Sequence, residues 1–201
     1  MKKKLILTLL TGFLLIQTSE AQIRFGARGS ASISNITVAH STSKSRTGYQ
    51  IAALGLIPID NNDQFYFQPE INYSAQGEYN VHAGPDGSID QKTFLSFINV
   101  PLNIKAYLSE AESEFFAEFG PYLGFKIGEN IEKFDFYTEP DNEEYSSFDF
   151  GLGLGFGYSF NRELELSVRY SYGFVDQVKH EAANDNNHTS ILNFGVSYIF
   201  Y

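Results

Sequence analysis

The sequence predicts an all-β fold, an eight-stranded antiparallel up-and-down transmembrane β-barrel, and three observations predict it. Eight stretches alternate apolar and polar residues with a period of two. The connections between them are alternately short and long. In seven of the eight stretches the apolar face carries no charged residue, as a lipid-facing surface requires.

The chain has 201 residues. It opens on Met1-Lys2-Lys3-Lys4, a short basic region, followed by the apolar run Leu5 to Ile16. Ser19 and Ala21 then give the small-x-small pattern of a signal-peptidase site. Residues 1–21 read as a signal peptide cleaved between Ala21 and Gln22, and residues 22–201 as one barrel domain. The apolar run is shorter than the about 20 residues that a membrane-spanning helix needs. No cysteine follows it, so the chain does not read as a lipoprotein.

The first stretch is Ile23 to Ser32, with Phe25, Ala27, Gly29 and Ala31 opposite Arg24, Arg28, Ser30 and Ser32. The second, about Gly48 to Ile59, alternates less cleanly. The third is Phe65 to Gln76, with Phe67, Ile71 and Tyr73 opposite Gln68, Glu70 and Asn72. The fourth, Phe97 to Leu108, sets Ile98, Val100 and Ile104 against Asn99, Asn103 and Lys105. The fifth, Phe116 to Gly128, sets Phe119, Leu123 and Phe125 against Glu118, Tyr122 and Lys126. The sixth, Phe148 to Phe160, is the cleanest. Its large apolar residues face one way, and Asp149, Gly151, Gly153, Gly155 and Gly157 face the other. The seventh, Glu163 to Gly173, sets Leu164, Leu166 and Val168 against Glu165, Ser167 and Arg169. The eighth, Ser190 to Tyr201, carries Phe194, Val196, Tyr198 and Phe200 on its apolar face.

Asp60 to Gln64, Ser109 to Phe115 and the pair Asn161-Arg162 are short connections; the last has the length of a two-residue hairpin turn. Residues 33–47, 77–96, 129–147 and 174–189 read as long polar loops. An outer-membrane barrel has this rhythm: short periplasmic turns, long extracellular loops and both termini in the periplasm.

A soluble, lipocalin-like barrel also alternates, so the direction of each face has to be argued. A solvated outer face would need charge to stay soluble, and the apolar face has none in seven stretches. The polar face mixes both signs with Gly, Ser, Asn and Gln, which suits a narrow hydrogen-bonded lumen. Aromatics fall near stretch ends (Tyr73, Phe119, Phe160, Tyr172, Tyr198), where a bilayer places its girdles. The last stretch carries Tyr198, Phe200 and Tyr201, which read as an outer-membrane assembly signal. The partners expected on this reading are outer-membrane lipid, the barrel-assembly machinery and periplasmic chaperones, with the extracellular partner unknown.

Composition removes other classes. Lys plus Arg is 14 and Asp plus Glu is 24, a net charge of −10, which argues against a nucleic-acid partner. There is no Cys, hence no disulfide framework, thiolate nucleophile or Cys-ligated zinc. With 43% hydrophobic and 16% aromatic residues, the chain is not a disordered tail.

Eight strands leave an interior just wide enough for side chains. The charges expected to pair there are Arg24, Arg28, Glu70, Lys105, Glu118, Lys126, Asp149, Glu165 and Arg169. The glycine row of the sixth stretch adds no side chains to the interior, and is expected to make room for Tyr122, Lys126 and Arg169. No cofactor, no metal site and no catalytic set is expected. The loop around Glu129, Glu132, Asp135, Glu139, Asp141, Glu143 and Glu144 is acidic but lacks the ligand spacing of a calcium loop. Phe134 and Phe136 alternate with Asp135, a sign that the fifth and sixth strands extend beyond the membrane as a hairpin. His40, His82, His180 and His188 all fall in long loops. His180 and His188, with Asp176, Glu181 or Asp185 and with Ser171 or Ser190, could furnish a hydrolase set at the outer leaflet, but no motif ties them together.

Several segments resemble the PorT-like family of outer-membrane β-barrel domains. They are Phe25-Gly26-Ala27-Arg28-Gly29, Gly48-Tyr49-Gln50 with Ile57-Pro58-Ile59, and Phe67-Gln68-Pro69-Glu70-Ile71-Asn72-Tyr73-Ser74. Phe97-Ile98-Asn99-Val100-Pro101-Leu102, Phe119-Gly120-Pro121-Tyr122-Leu123-Gly124 and Arg169-Tyr170-Ser171-Tyr172-Gly173 continue the series. Ala31 and Ser32 depart from the pattern. The resemblance spans nearly all of residues 22–201. It implies an eight-stranded, OmpA/OmpX-like barrel of the porin family in a Gram-negative outer membrane, and little about activity. The expected role is structural or interactive, through long extracellular loops and a side-chain-filled lumen. The alternatives are a small porin passing ions or small solutes and, further off, an outer-leaflet lipid-modifying enzyme.

Overall fold

The computed structural model describes residues 23–36, 44–84, 87–131, 145–177 and 187–200, of which 80–84 and 87–91 by their backbone. Eight strands lie among the described residues: β1 (Arg24–Asn35), β2 (Lys44–Pro58), β3 (Phe65–Gly84), β4 (Gly87–Tyr107), β5 (Glu114–Ile131), β6 (Phe148–Phe160), β7 (Leu164–Gly173) and β8 (Ser190–Phe200). Each pairs antiparallel with its chain neighbours, and β8 pairs with β1, for example Phe25 with Phe200 and Ala27 with Tyr198, so the sheet closes. Closure leaves no unpaired edge, the condition for crossing lipid with strands.

The period of two becomes an inside and an outside. On β6, Phe148, Phe150, Leu152, Leu154 and Phe156 point outward and are exposed, while Asp149 and Gly151, Gly153 and Gly155 point inward and are buried. Twelve steps along this strand span about 40 Å, which a tilt of about 40° reduces to about 30 Å, the thickness of a hydrocarbon core. Outward rings meet in pairs at both ends of the band. Phe115–Tyr158, Tyr158–Phe160 and Tyr198–Phe200 lie 4.8–5.5 Å apart at the end with the short turns. Tyr49–Tyr73, Phe125–Phe148 and Phe150–Phe174 lie 5.6–5.9 Å apart at the other. Phe119 belongs to neither girdle: it lies five residues inside β5, opposite Leu154.

The short turns are built by side chains. Asn161 and Arg162 both have positive φ, 52° and 55°, and Glu163 N donates to Phe160 O at 3.0 Å, a two-residue primed turn whose twist matches the hairpin. Asp60 accepts from the backbone N–H groups of Gln64 and Phe65.

The strands run further than periodicity shows. Residues 77–96, expected as a loop, instead continue β3 and β4 as one hairpin, paired from Gly77–Phe94 to Gly84–Gly87. Similarly, β2 begins at Lys44 and β5 reaches Ile131. In this extension the inward face carries polar Gln76, Glu78 and Thr93, buried, and the outward face includes the exposed Lys92, so the apolar–polar contrast fades although the backbone still needs its hydrogen bonds. The expected extension through Phe134 and Phe136 lies outside the described residues, as does the signal peptide.

Candidate functional site

Among the described residues functional side chains converge in the lumen, and it is layered. Lowest, at the turn end, Arg162 donates to Glu114 Oε1 through Nε and Nη2 at 2.9 and 2.6 Å, and to Asp63 O at 2.8 Å. Its guanidinium also lies 4.7 Å from the centre of the Tyr107 ring. Burial alone would lower the Arg162 pKa; the hydrogen bonds and charge of Glu114 outweigh it and hold the group above its ordinary value. One side chain thus ties three turns, and its contacts hold a positive-φ backbone that an arginine rarely adopts. Arg24 is close by, 4.0 Å from Asp63 and 5.6 Å from the Tyr66 ring centre.

Above it the lumen is apolar. Leu54, Leu56, Tyr66, Tyr107, Phe116 and Ile199 form one buried cluster, with Tyr66 and Tyr107 edge to face at 5.6 Å. Lys105 stands among these rings, fully buried, 4.0 Å from the Phe116 ring centre. It donates to both oxygens of Glu165 at 2.5 and 2.6 Å, and Tyr107 donates to the same carboxylate at 2.7 Å.

At mid-height two arginines and two carboxylates close the lumen. Arg169 donates to both oxygens of Glu70 at 2.6 and 2.9 Å and, through Nε, to Glu118 at 2.8 Å. Arg28 donates to Glu118 at 3.2 Å and to Ser167 at 2.5 Å, and lies 3.7 Å from Glu70. Gln68 donates to Glu70 and Glu118 at 2.6 and 3.2 Å. The residues come from β1, β3, β5 and β7, so the layer bridges the barrel. Its formal charges cancel, and bidentate geometry offsets the desolvation that makes a buried ion pair costly.

Above this layer amides replace charges. Gln50, Asn72, Asn99, Asn103 and Asn193 face inward and are buried. Near the outer end Tyr122 donates to Asp149 at 2.8 Å. Ile36, Leu95, Phe97 and Tyr145 form a second buried apolar cluster.

Of the nine expected lumen charges, Arg28, Glu70, Glu118 and Arg169 meet in one layer and Lys105 with Glu165 in the next. Arg24, Lys126 and Asp149 lie apart from both. Lys126 sits towards the outer end, held by Glu129 and by Tyr145 O. The glycine row faces the lumen and makes room for Tyr122, as expected, with Arg169 Cδ 3.9 Å from a Cβ placed on Gly153, but it also serves Glu118 and Phe116 and does not serve Lys126. A Cβ on Gly151 would meet Tyr122, one on Gly155 would meet Glu118, and one on Gly157 would meet Phe116. Lys126 uses none of them, because it lies above the row.

Reasoning from sequence missed the apolar layer. Its signal was the poor alternation of β2, whose inner face is Ala52, Leu54 and Leu56, together with Tyr66, Tyr107, Phe116 and Ile199 on nominally polar faces. Glu114 and Arg162 were missed because both fall within short connections, where no alternation marks a face.

Ser171 faces the lumen and Ser190 lies near Asn35 O at 3.5 Å. His188 packs on Tyr172 with ring centres 5.5 Å apart. Among the described residues no hydrogen bond joins His188 to either serine, and no three metal-ligating side chains converge. His40, His180, Glu181, Asp185, Tyr201 and the acidic residues from Glu132 to Glu144 lie outside the described residues.

A closed antiparallel barrel with a lipid-wide apolar belt and a polar, plugged interior defines an outer-membrane β-barrel protein. The model of the outer membrane protein beta-barrel domain matches residues 16–178. The chain belongs to that family, and its place is the outer membrane. Among solved structures, the outer membrane enzyme PagL aligns with a TM-score of 0.53 at 12% identity, covering 85% of this chain and 98% of PagL. The outer membrane protein OprG of Pseudomonas aeruginosa aligns with a TM-score of 0.50 at 15% identity, covering 90% and 97%. At these identities the likeness shows the fold. No curated protein matches the chain.

Proposed function

We propose that the protein is a closed scaffold of the Gram-negative outer membrane, a structural or interaction protein that works through what it presents outside the cell rather than through its lumen. The observation that carries this reading is the pair of stacked seals. Arg28, Glu70, Glu118 and Arg169 cross-link four strands, and the Leu54–Tyr66–Phe116 cluster fills the bore beneath them. An ion would have to break buried pairs and then pass apolar side chains. The projecting β3–β4 hairpin, paired to Gly84–Gly87, supports a surface role. The order of motifs supports the PorT-like branch, and the outward Tyr198 and Phe200 support recognition by the assembly machinery during insertion.

Single-channel recording in planar bilayers tests the reading. A folded, heat-modifiable barrel that stays silent is the expected result. Discrete current steps absent from protein-free bilayers would replace the scaffold with a porin.

An enzymatic role is the second reading, favoured by the likeness to PagL, itself an outer membrane enzyme. Against it, Ser171 and Ser190 make no hydrogen bond to His188. We therefore propose no catalysis. Release of acyl chains from outer-leaflet lipid by the wild type, abolished by His188→Ala, would reverse that choice.

A further inference from the structure

In the amide storey of the lumen, buried polar atoms without a partner cluster around one cavity, whereas among the described residues of the ion-pair layer beneath only Gln68 Oε1 lacks one. The cavity lies directly above the Arg169 layer, with about 20 Å³ open to the centre of a water-sized sphere. Asn72, Asn99, Asn103 and Asn193 line it, with Tyr122 and Gly153. All four asparagines are at least nine-tenths buried. Each leaves one polar atom without a hydrogen-bond partner among the described residues: Oδ1 of Asn72, Asn99 and Asn193, and Nδ2 of Asn103. Such groups are rarely left unpaired, because burial strips their water and returns nothing.

We propose that this chamber is a binding site for a pair of long-lived internal waters. Two waters bonded to each other keep three free hydrogens, one for each asparagine oxygen, and retain lone pairs to accept from Asn103 Nδ2. A compact region of that size open to water centres is about 3.4 Å across, which takes two waters at their usual contact distance of about 2.8 Å. A neutral occupant fits better than a cation, because the cationic Arg169 side chain borders the cavity. The floor is the ion-pair layer, so in that respect the inference rests on the plugged-lumen reading. Gly153 keeps the space open: a Cβ there would stand 3.4 Å from Ser171 Oγ and 3.8 Å from Gly120 O, in ordinary contact, with its volume inside the chamber.

The test is water–protein cross-relaxation by NMR, on the refolded protein in lipid nanodiscs. Cross-peaks from long-lived water to the side-chain amides of Asn103 and of at least one of Asn72, Asn99 and Asn193 are expected. Gly153→Ala, still heat-modifiable on a gel, is expected to lose them. Their absence from the folded wild type would overturn the proposal, and their persistence in Gly153→Ala would overturn the placement. Amide shifts that depend on whether sodium or potassium is present would put a cation in the chamber instead and also overturn it. Current through wild-type channels, with the cross-peaks present, would overturn the seal and leave the waters standing.

Discussion

The lower and upper halves of the same lumen solve the problem of a polar interior in opposite ways. Below, charge is matched by charge. Arg28 and Arg169 balance Glu70 and Glu118, Lys105 balances Glu165, and apolar side chains fill the remaining space. Above, neutral amides line a cavity and leave four atoms unmatched. A matched layer is rigid and excludes solvent, while an unmatched one selects small polar occupants. The seal and the wet chamber are therefore consequences of residue type at successive inward positions. On β3 the change falls between Glu70 and Asn72, and on β7 between Arg169 and Ser171.

Cutting the matched layer gives the largest effect. Glu118→Ala removes an acceptor of Arg28 and of Arg169 and leaves two arginines to one carboxylate. The loss of one partner from a buried network costs about 3–5 kcal/mol. Urea titration in lipid vesicles, read as the folded fraction on a gel, is expected to show it. The apolar layer below is untouched, so planar-bilayer current is expected to stay silent, and current in this variant would show that the ion pairs alone formed the seal.

Gly155→Ala strikes the same layer from the wall. A Cβ at Gly155 would lie 2.5 Å from Glu118 Oε1 and 2.9 Å from its Cδ. A free glutamate would swing aside; this one is held by Arg28 and Arg169. Overpacking of this kind costs about 1–3 kcal/mol, and the same titration checks it. Tyr107→Phe comes next. It takes one donor from Glu165, which keeps both Lys105 contacts, so the expected loss is about 1.5 kcal/mol.

The comparison also shows why the barrel could be read from sequence and the layering could not. Alternation reports which face a residue takes, and Glu118 and Asn72 alternate equally well. It does not report height. Height depends on stagger between strands, which places Glu118 of β5 opposite Lys105 of β4 and Gly155 of β6. Only that register separates Arg28, which joins the central layer, from Arg24, four residues lower beside Asp63. Lys126 shares a face with Glu118, yet eight residues lift it to the outer end. The apolar layer was obscured for the same reason. Leu56, Tyr66 and Phe116 sit on separate strands, and each looks like a lapse in pattern until the register brings them to one height. The projecting hairpin reads as a loop because its inward positions Gln76, Glu78 and Thr93 are polar and its outward side includes Lys92, so no apolar face marks it.

Gly153→Ala carries the smallest effect and the sharpest contrast, since Gly153 and Gly155 are successive inward positions of one strand. At Gly153 the nearest atom to a new Cβ is Ser171 Oγ at 3.4 Å, and Arg169 Cδ stands at 3.9 Å. Nothing has to move. The substitution restricts the unfolded chain, which favours folding by up to about 1 kcal/mol. Against that it displaces water from the asparagines, which restores the unpaired atoms the water had satisfied. Four atoms at about 1 kcal/mol each stand against the chain term and the freedom regained by two released waters, up to about 2 kcal/mol each, so the folded fraction in urea is expected to shift by less than about 1 kcal/mol, while Gly155→Ala shifts it by more. Equal losses at both glycines would mean that the upper lumen is as tightly matched as the lower. A clear gain at Gly153 would mean that the chamber was dry and the new methyl simply filled it.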